Sequence, residues 1–519
     1  MSRLAVAFAL MMSAATVQAQ DVNIAVGGAF TSLDPHFHNL TPNSALTQHL
    51  FDRLLEPDAN LRPMAGLAMS YSAISPTSWE FRLRPGIRFH DGTPFTADDV
   101  AFTFARVPNV AGSPSSYAFF TRPVREVVVV DALTFRLETN GPAPLIPAMM
   151  QGLPMIGRRQ GEGMTTSDYN SGRAAIGTGP YRFVSYAPGD RVVFARNTDW
   201  YGGAVAWNRV TYRFIGNDSA RLAALKAGDV DLIDQVPTRD VVDLARDARL
   251  AIFTRPGVRN IYLYLDGWRE QTPHVTDHQG RPLAGNPLRD LRVRRALSLA
   301  INRAAIVSQV MDGQAAPSGQ LLPAGSIGHD AALTPDPHDP EAARRVLAEA
   351  GYPQGFTVAL HGPNDRYVND AQILQAIAQM WARIGVRVRV EALPSAAFFS
   401  RTARDEFSIG LLGWGTGTGE PDSPLANLLA TIDASRGRGA SNRSRYSNAE
   451  FDVVLDRALV ALDLAGREAL YRQATGIAIR DQAIIPLHHQ VNIWAARRGF
   501  RYEARNDERT MAMSLHPNP

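Results

Sequence analysis

Arg366 and the run that begins at Trp414 hold the residue types best suited to gripping a small molecule. An arginine guanidinium can hold a carboxylate or phosphate through two parallel charge-assisted hydrogen bonds. The plain alternative is a solvated surface arginine, since arginine makes up about a tenth of the chain. Trp414 offers a large apolar wall, and Gly415 and Thr416 after it allow backbone to approach a ligand closely. The glycines of this run lack the G-x-G-x-x-G spacing and no lysine follows them, so neither a dinucleotide fingerprint nor a P-loop is present. His36 and His38 would place two imidazoles on one side of an extended segment, and imidazole suits nickel and copper. That pair has no evident third ligand. The plainer reading is hydrogen bonding beside Leu33-Asp34-Pro35, with His488-His489 read likewise and no metal or cofactor expected. The chain has no cysteine, no G-x-S-x-G elbow and no H-E-x-x-H, which removes thiol chemistry and two common hydrolase signatures. Lys226, the sole lysine, falls in RLAALKAGDVDL, a helix ending at Gly228 and then a strand, and reads as a surface residue.

Two segments position these side chains. Phe356–Leu360 reads as a strand, 362–369 as a loop, and 370–384 as a helix with Ile373, Leu374, Ile377, Trp381 and Ile384 on one face, ending at Gly385. Val386, Val388 and Val390 alternate with Arg387 and Arg389 as a further strand, which completes a βαβ unit. Asn364, Arg366 and Tyr367 then lie in a loop at the carboxyl end of a strand, and Phe407–Leu412 is a second strand that empties into the Trp414 run. Ligands of open α/β sheets bind outside those carboxyl ends. Earlier, Trp79, Phe81 and Leu83 alternate with charged residues, and Pro85-Gly86 turns the chain. Ile87 and Phe89 resume the alternation, and Thr96 with Asp99 forms a near capping box. A hairpin running into a capped helix is predicted there, with Asp98 and Asp99 as capping residues. The tract from Asp266 to Asp290 carries three prolines and reads as a crossover or surface loop between lobes.

The stretch WEFRLRPGIRFHDGTPFTADDVAFTFARV also resembles the signature of the family 5 extracellular solute-binding proteins, the peptide, nickel and opine receptors of ABC importers. GTGPYRF, LRVRRALSLAINRAAI, DPEAARRVLAEAGYPQGF, RYSNAEFDVVLDRAL and IIPLHH match further along in the family's order. The resemblance implies an α/β, two-lobed type II binding protein with a hinge and an extra subdomain in lobe one. On that basis lobe one is expected at 20–59, 176–265 and 490–519, the subdomain at 60–175 and lobe two at 266–489. It further implies a short peptide or an opine-like, amino-acid-derived anion as ligand, with its carboxylate near Arg366 and its apolar part on Trp414. Gly415, Thr416, Tyr367, Asn364, His38, Asn39 and Asn260 complete the expected lining. Peptide receptors of this type carry an aspartate three residues after the tryptophan, which pairs with the ligand's ammonium group. Gly417 stands there instead, and Glu420-Pro421-Asp422 is a displaced substitute. A nickel-chelate or haem receptor, a secreted peptide or amide hydrolase, and a holdase-like chaperone remain as alternatives.

The composition fits this class. At 519 residues the chain is too long for one core. Its net charge is +3, and its basic residues are spread among nearly as many acids, without the clustered stripe that nucleic acid requires. Arg3, the apolar Leu4–Ala15 and Val17-Gln18-Ala19 read as a signal peptide cut after Ala19. Without a cysteine there is no lipid anchor, so a freely diffusing monomer in the periplasm is expected. Its partners would be an ABC permease and that permease's separate ATPase.

Overall fold

The computed structural model describes residues 21–518, so the signal-peptide reading lies outside the described residues. Its backbone is one twelve-stranded mixed sheet beside a smaller four-stranded one. Two long strands, Leu250–Leu265 and Ile484–Arg497, lie antiparallel at the centre of the large sheet. On one side, Leu232–Ile233 pairs with Ala495–Ala496, followed by Val22–Val26 and Arg209–Phe214. On the other, Asn260–Leu265 pairs with Ile409–Trp414, which runs parallel to Thr357–Pro363. The register of the central pair slips between Pro256 and Asn260 and again between Ile261 and Tyr262. Such bulges interrupt the ladder and bend the strands. Each side has its own core, one around Ile24, Phe51, Trp207 and Trp494 and the other around Leu263, Ile377, Trp381 and Leu411.

The βαβ unit forms as the sequence predicts. Thr357–Pro363 and Arg387–Leu393 are parallel neighbours joined by the helix Asp370–Ala382, and Gly385 turns the chain at φ +89°. The expected hairpin at Pro85-Gly86 does not form. Ser78–Leu83 pairs instead with Ala68–Ser75 and Thr134–Thr139, while Ile87 and Phe89 are buried without joining a ladder. Sequence alternation reported their burial correctly but could not report their partner, because long-range pairing leaves no local mark. The capped helix is present, with Thr96 and Asp99 making the reciprocal bonds. The tract after Asp266 lies against one lobe rather than between two. The Asp266 amide donates to the Ser408 carbonyl, and Val275–Thr276 pairs with Thr357–Val358 at the sheet edge.

Candidate functional site

The carboxyl ends of Thr357–Pro363 and Ile409–Trp414 point the same way, and both open onto a cavity of about 630 Å³ between the two sides of the molecule. Asp370 shapes the first loop. Its Oδ2 accepts the backbone N–H groups of Arg366 and Tyr367, each at 3.0 Å, and Asn369 at the turn adopts φ +55°. Arg366 is thereby held at the cavity wall, with its guanidinium 5.2 Å from the centre of the Tyr367 ring. Among the described residues its side chain makes no hydrogen bond or ion pair. Tyr367 is buried and donates to the Gly413 carbonyl at 3.3 Å. A Cβ on Gly413 would lie 2.7 Å from Ile261 and 2.8 Å from the Tyr367 ring, so only glycine fits there.

The second loop is tied by its own hydroxyls. Trp414 Nε1 donates to Ser423 Oγ at 3.2 Å, which leaves the indole face to the cavity. Thr416 Oγ1 donates to the Glu420 carbonyl at 2.7 Å. Glu420 is buried and paired with Arg467 through two 2.9 Å bonds, and Asp422 bonds Thr418. Burial, reinforced by the nearby Glu420 charge, pushes the Asp422 carboxyl up to about 7. Neither acid lines the cavity around Trp414, so neither replaces the missing aspartate. Gly417 does line it, and a Cβ there would meet nothing within 4 Å.

The facing wall comes from the central strand and the C-terminal segment. Arg259 holds Glu508 through bonds of 2.7 and 3.0 Å, and Arg505 holds Asp507 at 2.9 and 2.8 Å. Burial alone would raise the Glu508 carboxyl, but Arg259 and Arg366 outweigh it and hold it below the usual range. Glu508 sits at φ +64°, a conformation that non-glycine residues adopt at a cost and that clusters at functional sites. Arg443 completes the lining. It is half-buried, and its side chain makes no hydrogen bond or ion pair among the described residues. The cavity is lined by four arginines and two carboxylates, and both carboxylates are already paired with arginines.

Of the residues expected from sequence, Arg366, Tyr367, Trp414, Gly415, Thr416 and Asn39 line the cavity. Asn364, His38 and Asn260 do not. Asn364 is exposed, and its amide bonds the Leu393 carbonyl. His38 turns to Thr31, with Nδ1 and Oγ1 3.0 Å apart. Asn260 is fully buried and donates to the His488 carbonyl, because strand alternation sends it to the face opposite Arg259. His36 uses both ring nitrogens. Nδ1 must accept from Arg106 at 3.0 Å, which fixes Nε2–H as the donor to the Pro154 carbonyl at 2.8 Å. Sequence reasoning missed Arg259, Arg443 and Glu508. The first two are undistinguished in an arginine-rich chain, and the third gains its place only through tertiary contact.

A cleft at the carboxyl ends of strands, between two lobes joined by paired central strands, defines a two-lobed solute-binding protein. The comparisons agree. The model for bacterial extracellular solute-binding proteins, family 5, matches residues 62–435, and the chain belongs to that family. It is 30% identical to the glutathione-binding protein GsiB of Pectobacterium atrosepticum over 475 residues, 90% of this chain and 88% of that one. It is 28% identical to the protein of the same name from Escherichia coli K12, over 93% of this chain and 91% of that one. In fold it is similar to HbpA2 from Haemophilus parasuis, with TM-score 0.82 and 24% identity over 96% of this chain and 100% of that one. The chain is the substrate receptor of an ABC transporter.

Proposed function

We propose that this receptor captures a short peptide-like anion with two carboxylates, of the glutathione or opine class, in the periplasm and delivers it intact to its permease. The observation that carries this reading is the pair of unpaired guanidinium groups, Arg366 and Arg443, lining one cavity. Two fixed positive charges with no internal partner suit a ligand with two carboxylates, and the surrounding Trp414, Tyr262 and Phe120 suit its carbon skeleton. Glutathione, which the names of the two relatives carry, has two carboxylates and one ammonium group. Asp507 and Glu508 are the carboxylates nearest to serve that ammonium, across the cavity and anchored by their own arginines.

The mechanism is binding without chemistry. Contacts from both sides of the cleft favour a closed form, which the permease then recognises, while the ATPase supplies the energy. Bending is assigned to the register slips at 256–262 of the first central strand and the facing 486–491 of the second. The lobes therefore change over within the strands, with the four-stranded sheet as the body of the extra subdomain. The protein is proposed to work as a monomer. Among the described residues no helix is long and apolar enough to cross a membrane. Isothermal titration with glutathione, with a free dipeptide and with an opine tests the ligand class. Mass spectrometry of the recovered ligand tests its intact release. A preference for the mono-carboxylate dipeptide, or a cleaved product, would overturn the reading.

A further inference from the structure

Outside the two central strands, one hydroxyl carries the hydrogen bonding between the two sides of the molecule. Among the described residues, the only such bonds between 21–249 or 498–518 on the first side and 266–483 on the second meet at Thr238. Its Oγ1 donates to Asp312 Oδ2 at 2.8 Å and accepts from Asn369 Nδ2 at 3.0 Å, so both roles of the hydroxyl are spent on the opposite side. Thr238 opens the helical turn Thr238–Asp240, is 4% exposed, and stands between Val236 and Val241 of its own core. Its partners are fixed as well. Asp312 follows the buried Met311, and Asn369 also donates to the Val310 carbonyl at 2.7 Å. Both stand in the left-handed region, at φ +49° and +55°. Asparagine at the start of a helix ordinarily caps it through its side-chain oxygen. Asn369 holds that position on Asp370–Ala382 yet makes no capping bond, because its side chain is turned to Thr238 and Val310. Local rules are broken in this way at functional positions. The next residue is Asp370, whose carboxylate holds the amides of Arg366 and Tyr367.

We propose that Thr238 is a latch, whose hydroxyl ties the first side to the loop carrying Arg366 and holds part of the receptor population closed before any solute binds. A solute then adds its contacts to a closed form that already exists. Thr238 does not line the cavity and acts through Asn369, as a positioning residue. Release of the latch frees the residue next to Asp370, which couples opening of the cleft to the loop that anchors the solute. This rests on the closing motion proposed above, not on the identity of the solute.

The test measures the distance between the two sides in the ligand-free mature protein. The chain has no cysteine, so Asp199→Cys and Glu341→Cys, at positions 75% and 77% exposed, supply its only two spin labels for pulsed electron resonance. Two distances are expected, and Thr238→Val, which keeps the shape and removes the hydroxyl, should lower the closed-to-open ratio at least about fivefold. Thr238→Ser should restore it. Asn369→Gly, which suits the left-handed backbone and removes the amide, should act as the valine does and serves if that variant fails to fold. A distribution unchanged in both Thr238→Val and Asn369→Gly, or a serine variant that behaves as the valine, would overturn the latch. The closing motion would still stand if the wild type shows two distances or shifts with added glutathione, dipeptide or opine. One distance in every sample would overturn both.

Discussion

At the scale of single residues, affinity is assigned to charges that the fold leaves unspent. Arg366→Ala and Arg443→Ala should each weaken binding of a dicarboxylate by about ten- to hundredfold, the worth of a charge-assisted hydrogen bond. Titration calorimetry checks this, and unchanged affinity in both would remove the anchors. Gly417→Asp places a carboxylate into open space at the cavity wall. It should weaken a dicarboxylate ligand relative to a dipeptide that has a free amino group and one carboxylate, read by competition between the two. Arg366 and Trp414 were legible in sequence because each sits next to a recognisable strand end. Arg443 was not, since a solvated arginine and a cavity arginine look the same until the chain is folded around them.

At the scale of elements, the two binding loops are rigid for different reasons. The Arg366 loop hangs on the Asp370 carboxylate, and the Trp414 loop is stapled by Glu420 to Arg467. Both members of that ion pair are buried, with side chains 6–7% exposed. Arg467→Ala should therefore cost about 3–5 kcal/mol by leaving a buried carboxylate unpaired. Chemical denaturation measures it, and a change under about 1 kcal/mol would show the staple to be dispensable. Element type was well marked in the chain where apolar periodicity is strong, as in the helix bearing Ile373, Ile377 and Trp381. Pairing was not. Ser78–Leu83 was visible as a strand, but its neighbours lie some ten and fifty residues away, and only tertiary contact selects them.

At the scale of the whole molecule, acid should unfold the protein through its histidines. Burial holds His36, His49, His90, His361 and His488 down to about 4 and His489 to about 3. A histidine whose folded pKa is depressed favours the native state above its unfolded value and loses that contribution as pH falls toward the folded one. Asp52 and Asp422, pushed up to about 7 by burial, act in the opposite sense and cost stability as pH rises from about 4 to 7. Burial raises Glu56, Asp99, Asp234 and Asp370 in that same opposing sense, but the six imidazoles titrate across the whole interval, so Tm should fall between pH 6.5 and 4, as calorimetry across that range would show. A flat profile would mean that the buried imidazoles find compensation on protonation. The two-lobed architecture was legible through motif order, whereas the register slips of the central strands were not, because a slip depends on which residues pair across the ladder, and only the fold sets that.

The strand Ile484–Arg497 lies at the centre of the largest sheet, yet it follows every other strand of that sheet in the sequence. Until it is in place, Leu250–Leu265 and Leu232–Ile233 both present open edges, and neither side of the sheet can complete its ladder. Closure of the large sheet therefore awaits this strand. A nascent chain built this way keeps the middle of its largest sheet open until that strand emerges. A chain stopped at Ala483 should accordingly lack protease resistance on both sides of the sheet at once, not on one alone.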